Sequence, residues 1–187
     1  MLEIEIKFRV HDFAPLEAKL REWKTEQREE RDDIDEYFRA PHRDFAKTDE
    51  AFRLRRIGEK NFITYKGPRT DVATKTRLEI EVPLGDGVEP ATDLERLVHA
   101  LGFQPVAVVH KLRRVFKLKR QEFDVEVCLD IVESVGHYAE LEIVAPEEQL
   151  EKARSLLLQM AKELDLTEME RRSYLELLLE KKSKSSP

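Results

Sequence analysis

The chain has 187 residues, of which 39% are charged and 41% hydrophobic, and its formal net charge at pH 7 is −6. This length suits one domain with a substantial core, and the acidic balance argues against a nucleic-acid-binding module, which usually presents a basic face. The single cysteine, Cys128, excludes an internal disulfide and fits a reducing cytosol.

The opening residues 1–10 carry no secretory signal pattern, because they lack a basic segment followed by an apolar one. No apolar run in the chain approaches the ~18 residues that a membrane-spanning helix needs. We therefore expect a soluble cytoplasmic protein that binds neither membranes nor nucleic acids.

Residues 2–10 alternate strictly between apolar and charged side chains. This period of two is typical of a β-strand with one apolar face and one charged face. The charged face holds Glu3, Glu5, Lys7 and Arg9. A lone strand of this kind would turn its charges to water, but the pattern recurs along the chain, in at least seven segments in all.

A helix is predicted after this strand, with Asp12 as its N-cap and Pro15 in its first turn, ending near Glu26. A second strand is predicted to end at Phe38, where strand-forming residues close a charge-rich stretch. Residues 40–50 are predicted to form a loop.

The middle of the chain predicts a hairpin, with strands at 51–57 and 60–66 joined by a turn at Gly58-Glu59. Residues 68–76 are polar, which predicts a mobile segment. A strand at 77–82 is predicted to follow, ending at a proline.

Thr92 and Glu95 match a capping box, which predicts a short amphipathic helix that ends at Gly102. Three strands are predicted next, over residues 106–119, 122–132 and 138–144.

Two helices are predicted towards the C-terminus. Pro146 is predicted to open the longest helix, whose apolar side chains repeat at helical spacing. Ser173 and Glu176 form a capping box before a shorter helix. Residues 1–180 are predicted to form one domain, and residues 181–187, rich in Lys and Ser, a disordered tail.

These elements predict an α+β fold. The amphipathic helices can cover the apolar strand faces, which leaves the charged faces free to turn inward around a shared channel. We therefore expect a closed, mainly antiparallel β-tunnel of about eight strands, with a charged lumen and helices packed outside.

Pairs of glutamates two residues apart recur on three of these strands, at positions 3/5, 79/81 and 140/142. Two carboxylates at this spacing project the same way, roughly 6.5 to 7 Å apart, so they can hold one divalent cation or two neighbouring ones. Several pairs around one cavity would repel each other unless cations lie among them. Hard oxygen ligands favour Mg²⁺ or Mn²⁺.

Basic side chains on the same faces are too numerous for simple pairing with buried carboxylates: Arg53, Arg55, Lys66, Arg77, Lys111 and Arg113. Guanidinium and ammonium groups suit phosphate oxygens, so a nucleoside triphosphate or tripolyphosphate is the expected ligand. The sequence contains neither a P-loop nor a dinucleotide-binding glycine motif. Side chains must therefore replace a backbone phosphate cradle.

The motifs that hold these residues resemble the CYTH domain, the family of triphosphate tunnel metalloenzymes. The matches in chain order are Glu3-x-Glu5-x-Lys7, Asp35-x-Tyr37-Phe38, Phe52-Arg53-Leu54-Arg55, Thr64-Tyr65-Lys66-Gly67, Arg77-x-Glu79-x-Glu81, Lys111-x-Arg113 and Glu140-x-Glu142. Seven ordered matches over about the whole chain are more specific than any one of them. The resemblance implies an eight-stranded antiparallel closed tunnel with helices outside.

The resemblance also implies roles for individual side chains. Metal-site residues would be Glu3, Glu5, Asp130, Glu140 and Glu142, with Glu79 and Glu81 also facing the tunnel. Triphosphate-binding residues would be Lys7, Arg53, Arg55, Lys66, Lys111 and Arg113, with Arg77 as a further member. The candidate catalytic residues among them are Lys7, Arg53, Arg55 and Lys66. The implied cofactor is Mg²⁺ or Mn²⁺.

The family contains class IV adenylate cyclases, thiamine triphosphatases and inorganic triphosphatases. Residues 41–51, Tyr65-Lys66-Gly67-Pro68 and Thr74-Lys75-Thr76-Arg77 look most like the cyclase branch, whereas Glu3 lies too near the start for the His-Phe extension associated with established cyclases. The expected activity is conversion of ATP to cyclic AMP and pyrophosphate. The alternatives are hydrolysis of tripolyphosphate, thiamine triphosphate or a nucleoside triphosphate, and non-catalytic nucleotide or polyphosphate binding. A homodimer is left open.

Overall fold

The fold has eight strands and four helices within residues 2–70 and 74–185, the part of the chain that the computed structural model describes. The strands are β1 (Leu2–Arg9), β2 (Glu26–Arg39), β3 (Ala51–Ile57), β4 (Lys60–Lys66), β5 (Glu79–Pro83), β6 (Gln104–Arg120), β7 (Phe123–Val132) and β8 (Gly136–Ala145). The helices are α1 (Ala14–Glu22), α2 (Val88–Ala100), α3 (Leu150–Glu163) and α4 (Tyr174–Ser185). None of these helices is long and apolar enough to cross a lipid bilayer.

All eight strands form one antiparallel sheet, in the order β1, β8, β7, β6, β2, β3, β4, β5. The sheet curls until the segment just before β5 reaches β1. The backbone N–H of Lys75 donates to the carbonyl of Glu5 at 2.9 Å, and that of Arg77 to the carbonyl of Glu3 at 3.4 Å. The predicted eight-stranded antiparallel sheet with accompanying helices is confirmed.

The alternation in the sequence separates an apolar convex face from a charged concave face. On β1, Ile4, Ile6 and Phe8 belong to the main core, together with Leu157 and Met160 of α3. The residues between them on β1 point to the concave side. Helix α3 covers β1 and β8 on the convex face, and this cover allows the sheet to curl with its charges inward.

Helices α2 and α4 pack on opposite faces of the sheet. Helix α2 lies on the convex face, where its Val98 packs with Leu54 of β3. Helix α4 lies against the concave face, where Tyr174 packs with Tyr37 and Tyr138. Each of these tyrosines lies two residues along its strand from a charged residue that points to the concave side, so the tyrosine points to that side too. The expectation that the helices pack outside therefore fails for α4.

Two helix boundaries differ from the prediction for local backbone reasons. Helix α1 ends at Glu22 because Lys24 adopts a left-handed conformation (φ 55°) that turns the chain into β2. Helix α3 begins at Leu150 because one 3₁₀ turn, Glu147–Gln149, follows Pro146.

The capping box predicted at Thr92 is wrong. Helix α2 begins one turn earlier, at Val88, after Gly87 with φ 89°. The Thr92 hydroxyl lies inside the helix and donates to the carbonyl of Val88 at 3.0 Å. At the other end of the chain, α4 continues through residues 181–185, which were expected to be disordered; residues 186 and 187 lie outside the described residues.

The polar segment predicted to be mobile contains buried residues. Thr74, Lys75 and Thr76 are buried beside β1, and residues 71–73 lie outside the described residues. Strand β5 begins at Glu79, while Arg77 forms an isolated bridge with Glu3. The segment is held in place because its backbone amides donate hydrogen bonds to the carbonyls of β1.

Candidate active site

The concave face encloses a cavity of about 1570 Å³. Nearly all of the side chains that the sequence singled out line it: Glu3, Glu5, Lys7, Arg53, Arg55, Lys66, Arg77, Glu79, Glu81, Lys111, Arg113, Glu140 and Glu142. They come from six different strands and the segment before β5, so the curl of the sheet brings them together.

Three carboxylates converge at one place on the cavity wall. Oxygens of Glu3, Glu5 and Glu142 all lie within 4.8 Å of one another. The antiparallel register explains the meeting, because Glu5 on β1 is the direct partner of Glu142 on β8. Three hard oxygen donors at this spacing fit a divalent cation such as Mg²⁺ or Mn²⁺.

The electrostatics of Glu142 also fit a cation at this place. Burial and the neighbouring carboxylates Glu140, Glu3 and Glu5 raise the pKa of Glu142 to about 8, although Arg113 acts in the opposite direction. The positively charged groups of the protein are therefore insufficient to stabilise the ionised form of Glu142 fully. A bound cation would supply it.

Lysines already accompany the two β1 glutamates. Lys66 Nζ lies 3.1 Å from Glu3 Oε2, and Lys75 Nζ lies 2.7 Å from Glu5 Oε1. Burial alone would raise the pKa of Glu3, but Lys66, with Arg77 and Arg53, holds it below its ordinary value. A cation at this site would share Glu3 and Glu5 with these ammonium groups.

Asp35 on β2 holds two of the arginines in place. Its oxygens accept from Arg55 Nε at 2.7 Å, from Arg55 Nη2 at 3.0 Å and from Arg53 Nη1 at 3.0 Å. Burial opposes ionisation, but the two guanidinium groups keep the pKa of Asp35 well below its ordinary value. The arginines are thus fixed beside the cavity, and the hydroxyl of Tyr37 is 3.2 Å from Arg53 Nη1.

Arg113 on β6 is surrounded by carboxylates. It forms a two-bond pair with Asp130 at 2.7 and 2.6 Å, contacts Glu140, and lies 3.5 Å from Glu142. Burial would raise the pKa of Glu140, but Arg113, with Lys75 and Lys7, holds it well below its ordinary value. Arg113 therefore contacts Glu142 of the carboxylate cluster while Asp130 and Glu140 hold it in place. The basic side chains that line the cavity, which we call the basic wall, are Lys7, Arg53, Arg55, Lys66, Arg77, Lys111 and Arg113.

Two buried lysines complete this wall. Lys7 Nζ donates to the carbonyl of Arg172 at 2.6 Å and lies 3.9 Å from the ring centroid of Tyr174. Burial and the nearby Lys75 hold the pKa of Lys7 well below its ordinary value. Lys111 Nζ lies 3.6 Å from Asp33.

Other predicted metal-site residues take different places. Asp130 does not line the cavity and lies behind Arg113. Glu79 contacts Lys66, and Glu81 accepts from the hydroxyl of Thr64 at 2.9 Å. The structure therefore brings together Glu3, Glu5 and Glu142 but disperses the remaining acids among basic and hydroxyl partners.

The sequence did not single out Lys75, Asp35 or Tyr174 as site residues, yet all three contact the cluster or the basic wall. A signal existed for Lys75, because it extends the alternation of Arg77, Glu79 and Glu81 two residues upstream. Tyr174 lies in the segment Ser173-Tyr174-x-x-Leu177-Leu178, which resembles the family's terminal segment near one tunnel mouth, but no local pattern gave its side chain a role; it reaches the site because α4 packs on the concave face.

Comparisons with known proteins agree with this architecture. A family model of the CYTH domain matches residues 1–174. A Methanocaldococcus jannaschii protein named "Putative adenylate cyclase" is 34% identical over 182 residues, covering 95% of this chain and 98% of that protein. The structure of the PH1819 protein from Pyrococcus horikoshii OT3 aligns with a TM-score of 0.84 and 38% identity, covering 96% of this chain and 99% of that one.

A more distant structure shares the fold. It is that of HpAC1 from Hippeastrum, described as a "putative adenylyl cyclase" that "reveals a dominant" triphosphatase activity. It aligns with a TM-score of 0.65 and 15% identity, covering 96% of this chain and 95% of that one. The family match over most of the chain and the 34% identical relative show that this chain belongs to the CYTH domain family.

Proposed function

We propose that this protein is a divalent-metal-dependent adenylate cyclase that converts ATP to cyclic AMP and pyrophosphate. The observation that carries the metal and triphosphate part is the carboxylate cluster of Glu3, Glu5 and Glu142 beside a basic wall in one cavity. CYTH proteins process triphosphates, and the cyclase assignment is supported by the name of the 34% identical relative.

In this proposal, Glu3, Glu5 and Glu142 hold Mg²⁺ or Mn²⁺. The cation would neutralise phosphate oxygens and polarise the reacting phosphorus centre. Glu140, Glu79 and Glu81 have a different task, because they contact Arg113, Lys66 and Thr64. They keep the orientation of the groups around the substrate.

The basic wall would bind the triphosphate. Arg53 and Arg55 present their guanidinium groups from β3, and Lys66 and Arg77 lie near the carboxylate cluster. Lys7, Lys111 and Arg113 line the same cavity. Buried carboxylates fix three of these groups, because Asp35 holds Arg53 and Arg55 and Asp130 holds Arg113. These arginines would stabilise developing negative charge without rearranging during the reaction.

The curled sheet would act as a closed tunnel in this proposal. The hydrogen bonds from Lys75 and Arg77 to the carbonyls of β1 support closure, because they join the two ends of the sheet. Closure would limit access of water to the charged lumen and strengthen each ionic contact inside it.

Cyclisation and hydrolysis need the same cations and basic residues. Cyclisation also needs a base for the ribose 3′-hydroxyl and a folded ribose, whereas hydrolysis needs a water positioned at the terminal phosphorus. Triphosphatase activity is therefore the second candidate, and binding without turnover is the third. A cytoplasmic location and a homodimer stay predictions.

One experiment separates these candidates. The protein is incubated with ATP, and separately with tripolyphosphate or thiamine triphosphate, in Mg²⁺, in Mn²⁺ and in EDTA, and the products are identified. Cyclic AMP with pyrophosphate is expected from ATP. Orthophosphate without cyclic product would replace the cyclase assignment by a triphosphatase, and equal turnover in EDTA would overturn the metal dependence.

A further inference from the structure

Both carboxylate oxygens of Asp130 accept hydrogen bonds from protein side chains, which a metal ligand would not need. It is fully buried on β7, and Arg113 donates to its two oxygens at 2.7 and 2.6 Å. The hydroxyl of Tyr174, at the start of α4, donates to Oδ2 of the same carboxylate at 2.8 Å. One buried carboxylate thus joins a cavity arginine to the C-terminal helix.

The ring of Tyr174 extends these contacts to two lysines. Its centroid lies 3.9 Å from Lys7 Nζ and 5.6 Å from Lys111 Nζ, distances at which a cation is attracted to an aromatic face. Lys7 also donates to the carbonyl of Arg172, two residues before Tyr174. Tyr174 and the residues just before it therefore contact two lysines of the basic wall directly and are linked to Arg113 through Asp130.

We propose that Asp130 and Tyr174 are positioning residues that fix Arg113, Lys7 and Lys111 for triphosphate binding. This inference rests on the proposed function, because it takes the basic wall as the triphosphate site. Asp130 aligns the guanidinium of Arg113 through two hydrogen bonds, and Tyr174 anchors α4 to that pair.

The geometry argues against metal ligation by Asp130. Its oxygens face Arg113 and Tyr174, and it is not among the three carboxylates that converge within 4.8 Å. A cation bound to Asp130 would have to displace a buried guanidinium. Because a buried charge that loses its partner is strongly unfavourable, this exchange is disfavoured.

The test compares Asp130→Asn, Tyr174→Phe and Glu142→Gln. Each variant is assayed for kcat and KM with the substrate that the wild type turns over, and for Mn²⁺ affinity by electron paramagnetic resonance of the free ion. We expect Asp130→Asn to lower kcat/KM by about 10–100-fold, the loss that is typical when a partner that orients a metal ligand is removed. Mn²⁺ affinity should stay within about twofold for Asp130→Asn and fall at least about tenfold for Glu142→Gln.

Tyr174→Phe should lower kcat/KM less than Asp130→Asn does, and the double variant should be no worse than Asp130→Asn, because both changes act on one network. Tyr138→Phe is the matched control. Tyr138 packs edge-on against Tyr174 at 5.3 Å, but its hydroxyl contacts Arg9 and not Asp130. A loss of Mn²⁺ affinity in Asp130→Asn as large as that in Glu142→Gln, or equal effects of Tyr174→Phe and Tyr138→Phe, would overturn the inference.

A readout without turnover distinguishes failure of this inference from failure of the proposed function. If the wild type neither binds Mg²⁺ with tripolyphosphate nor turns over a triphosphate, the proposed function fails. The Nε–H signal of Arg113 in nitrogen-15 NMR, assigned with Arg113→Lys, then tests the positioning alone. The chemical shift of this N–H should change more, and its proton should exchange with water faster, in Tyr174→Phe than in Tyr138→Phe. An unchanged signal in Tyr174→Phe would overturn the inference, even if Asp130→Asn does not fold.

Discussion

At the scale of single residues, the concave face works by pairing buried charges in fixed geometries. Asp35 holds Arg53 and Arg55, and Asp130 holds Arg113, at hydrogen-bonding distance. A buried ion pair of this kind contributes little net stability, but removing one partner leaves an unpaired buried charge. Asp35 and Asp130, which hold these arginines, should therefore matter as much to folding as to binding.

Replacing Asp35 should show this directly. Asp35→Asn leaves Arg53 and Arg55 without their carboxylate, so we expect a loss of about 3–5 kcal/mol in the free energy of unfolding at neutral pH. Because the folded state lowers the pKa of Asp35, its charge stabilises the fold above the ordinary carboxyl pKa of about 4, and this contribution is lost as the pH falls further.

Urea unfolding from pH 3 to pH 7 measures the effect. The difference between wild type and Asp35→Asn should shrink at the acidic end. Asp86→Asn, at an exposed loop position, is the control and should change stability by less than about 0.5 kcal/mol. A constant difference across this range would contradict the assignment of the effect to the Asp35 charge.

Glu142 should show the opposite balance between stability and function. Burial and three neighbouring carboxylates disfavour its ionised form, as its pKa of about 8 indicates. Glu142→Gln should therefore melt at an equal or higher temperature than the wild type in EDTA, while its Mn²⁺ affinity falls at least about tenfold, or 1.4 kcal/mol. Thermal unfolding and Mn²⁺ titration test this, with the exposed Glu147→Gln as control. Lower melting with unchanged affinity would refute it.

At the scale of elements, two capping boxes in the sequence have different fates. At the start of α4, Glu176 N–H donates to Ser173 Oγ at 3.1 Å, and Ser173 N–H donates to Glu176 Oε2 at 2.6 Å. At Thr92 the same pattern lies inside α2 and caps nothing. The difference arises because Gly87 already turns the chain into α2 one turn upstream.

Alanine substitutions should separate the two. Ser173→Ala removes a true N-cap and should lower the free energy of unfolding by about 1 kcal/mol. Thr92→Ala should be neutral or slightly stabilising, since alanine has the higher helix propensity in a helix interior. Denaturant unfolding of both variants measures the contrast, and equal losses would show that the Thr92 hydroxyl has a capping role after all.

At the scale of the whole molecule, a short seam of backbone hydrogen bonds joins the two ends of the curled sheet, and closure of the proposed tunnel would depend on it. The amides of Lys75 and Arg77 donate to carbonyls of β1 at the point where the two ends of the sheet meet. If the tunnel is closed in solution, these amides should exchange with solvent about as slowly as those of the β1–β8 ladder, and Mg²⁺ with tripolyphosphate should slow them further. Hydrogen–deuterium exchange measures this. Exchange at the rate of an unstructured peptide would show an open sheet.

The sequence alone was sufficient for the strands, their charged faces and the family. A period of two sets the direction of each side chain within its own strand, so the placement of Glu3, Glu5 and Lys7 on one face followed from local geometry. The ordered motifs along the chain then indicated the family, which the family match confirmed. The Ser173 cap was equally local, because it involves only residues three positions apart.

Only the tertiary structure decided which charges meet. The register that sets Glu5 opposite Glu142, and the curl that brings Lys75 to β1, join residues far apart in the chain. The same arrangement places Asp130 behind Arg113, although its spacing on β7 resembles that of a cavity carboxylate. Local periodicity determines the face on which a residue lies, but pairing, curvature and the packing of α4 determine its partner, and the partner determines its role.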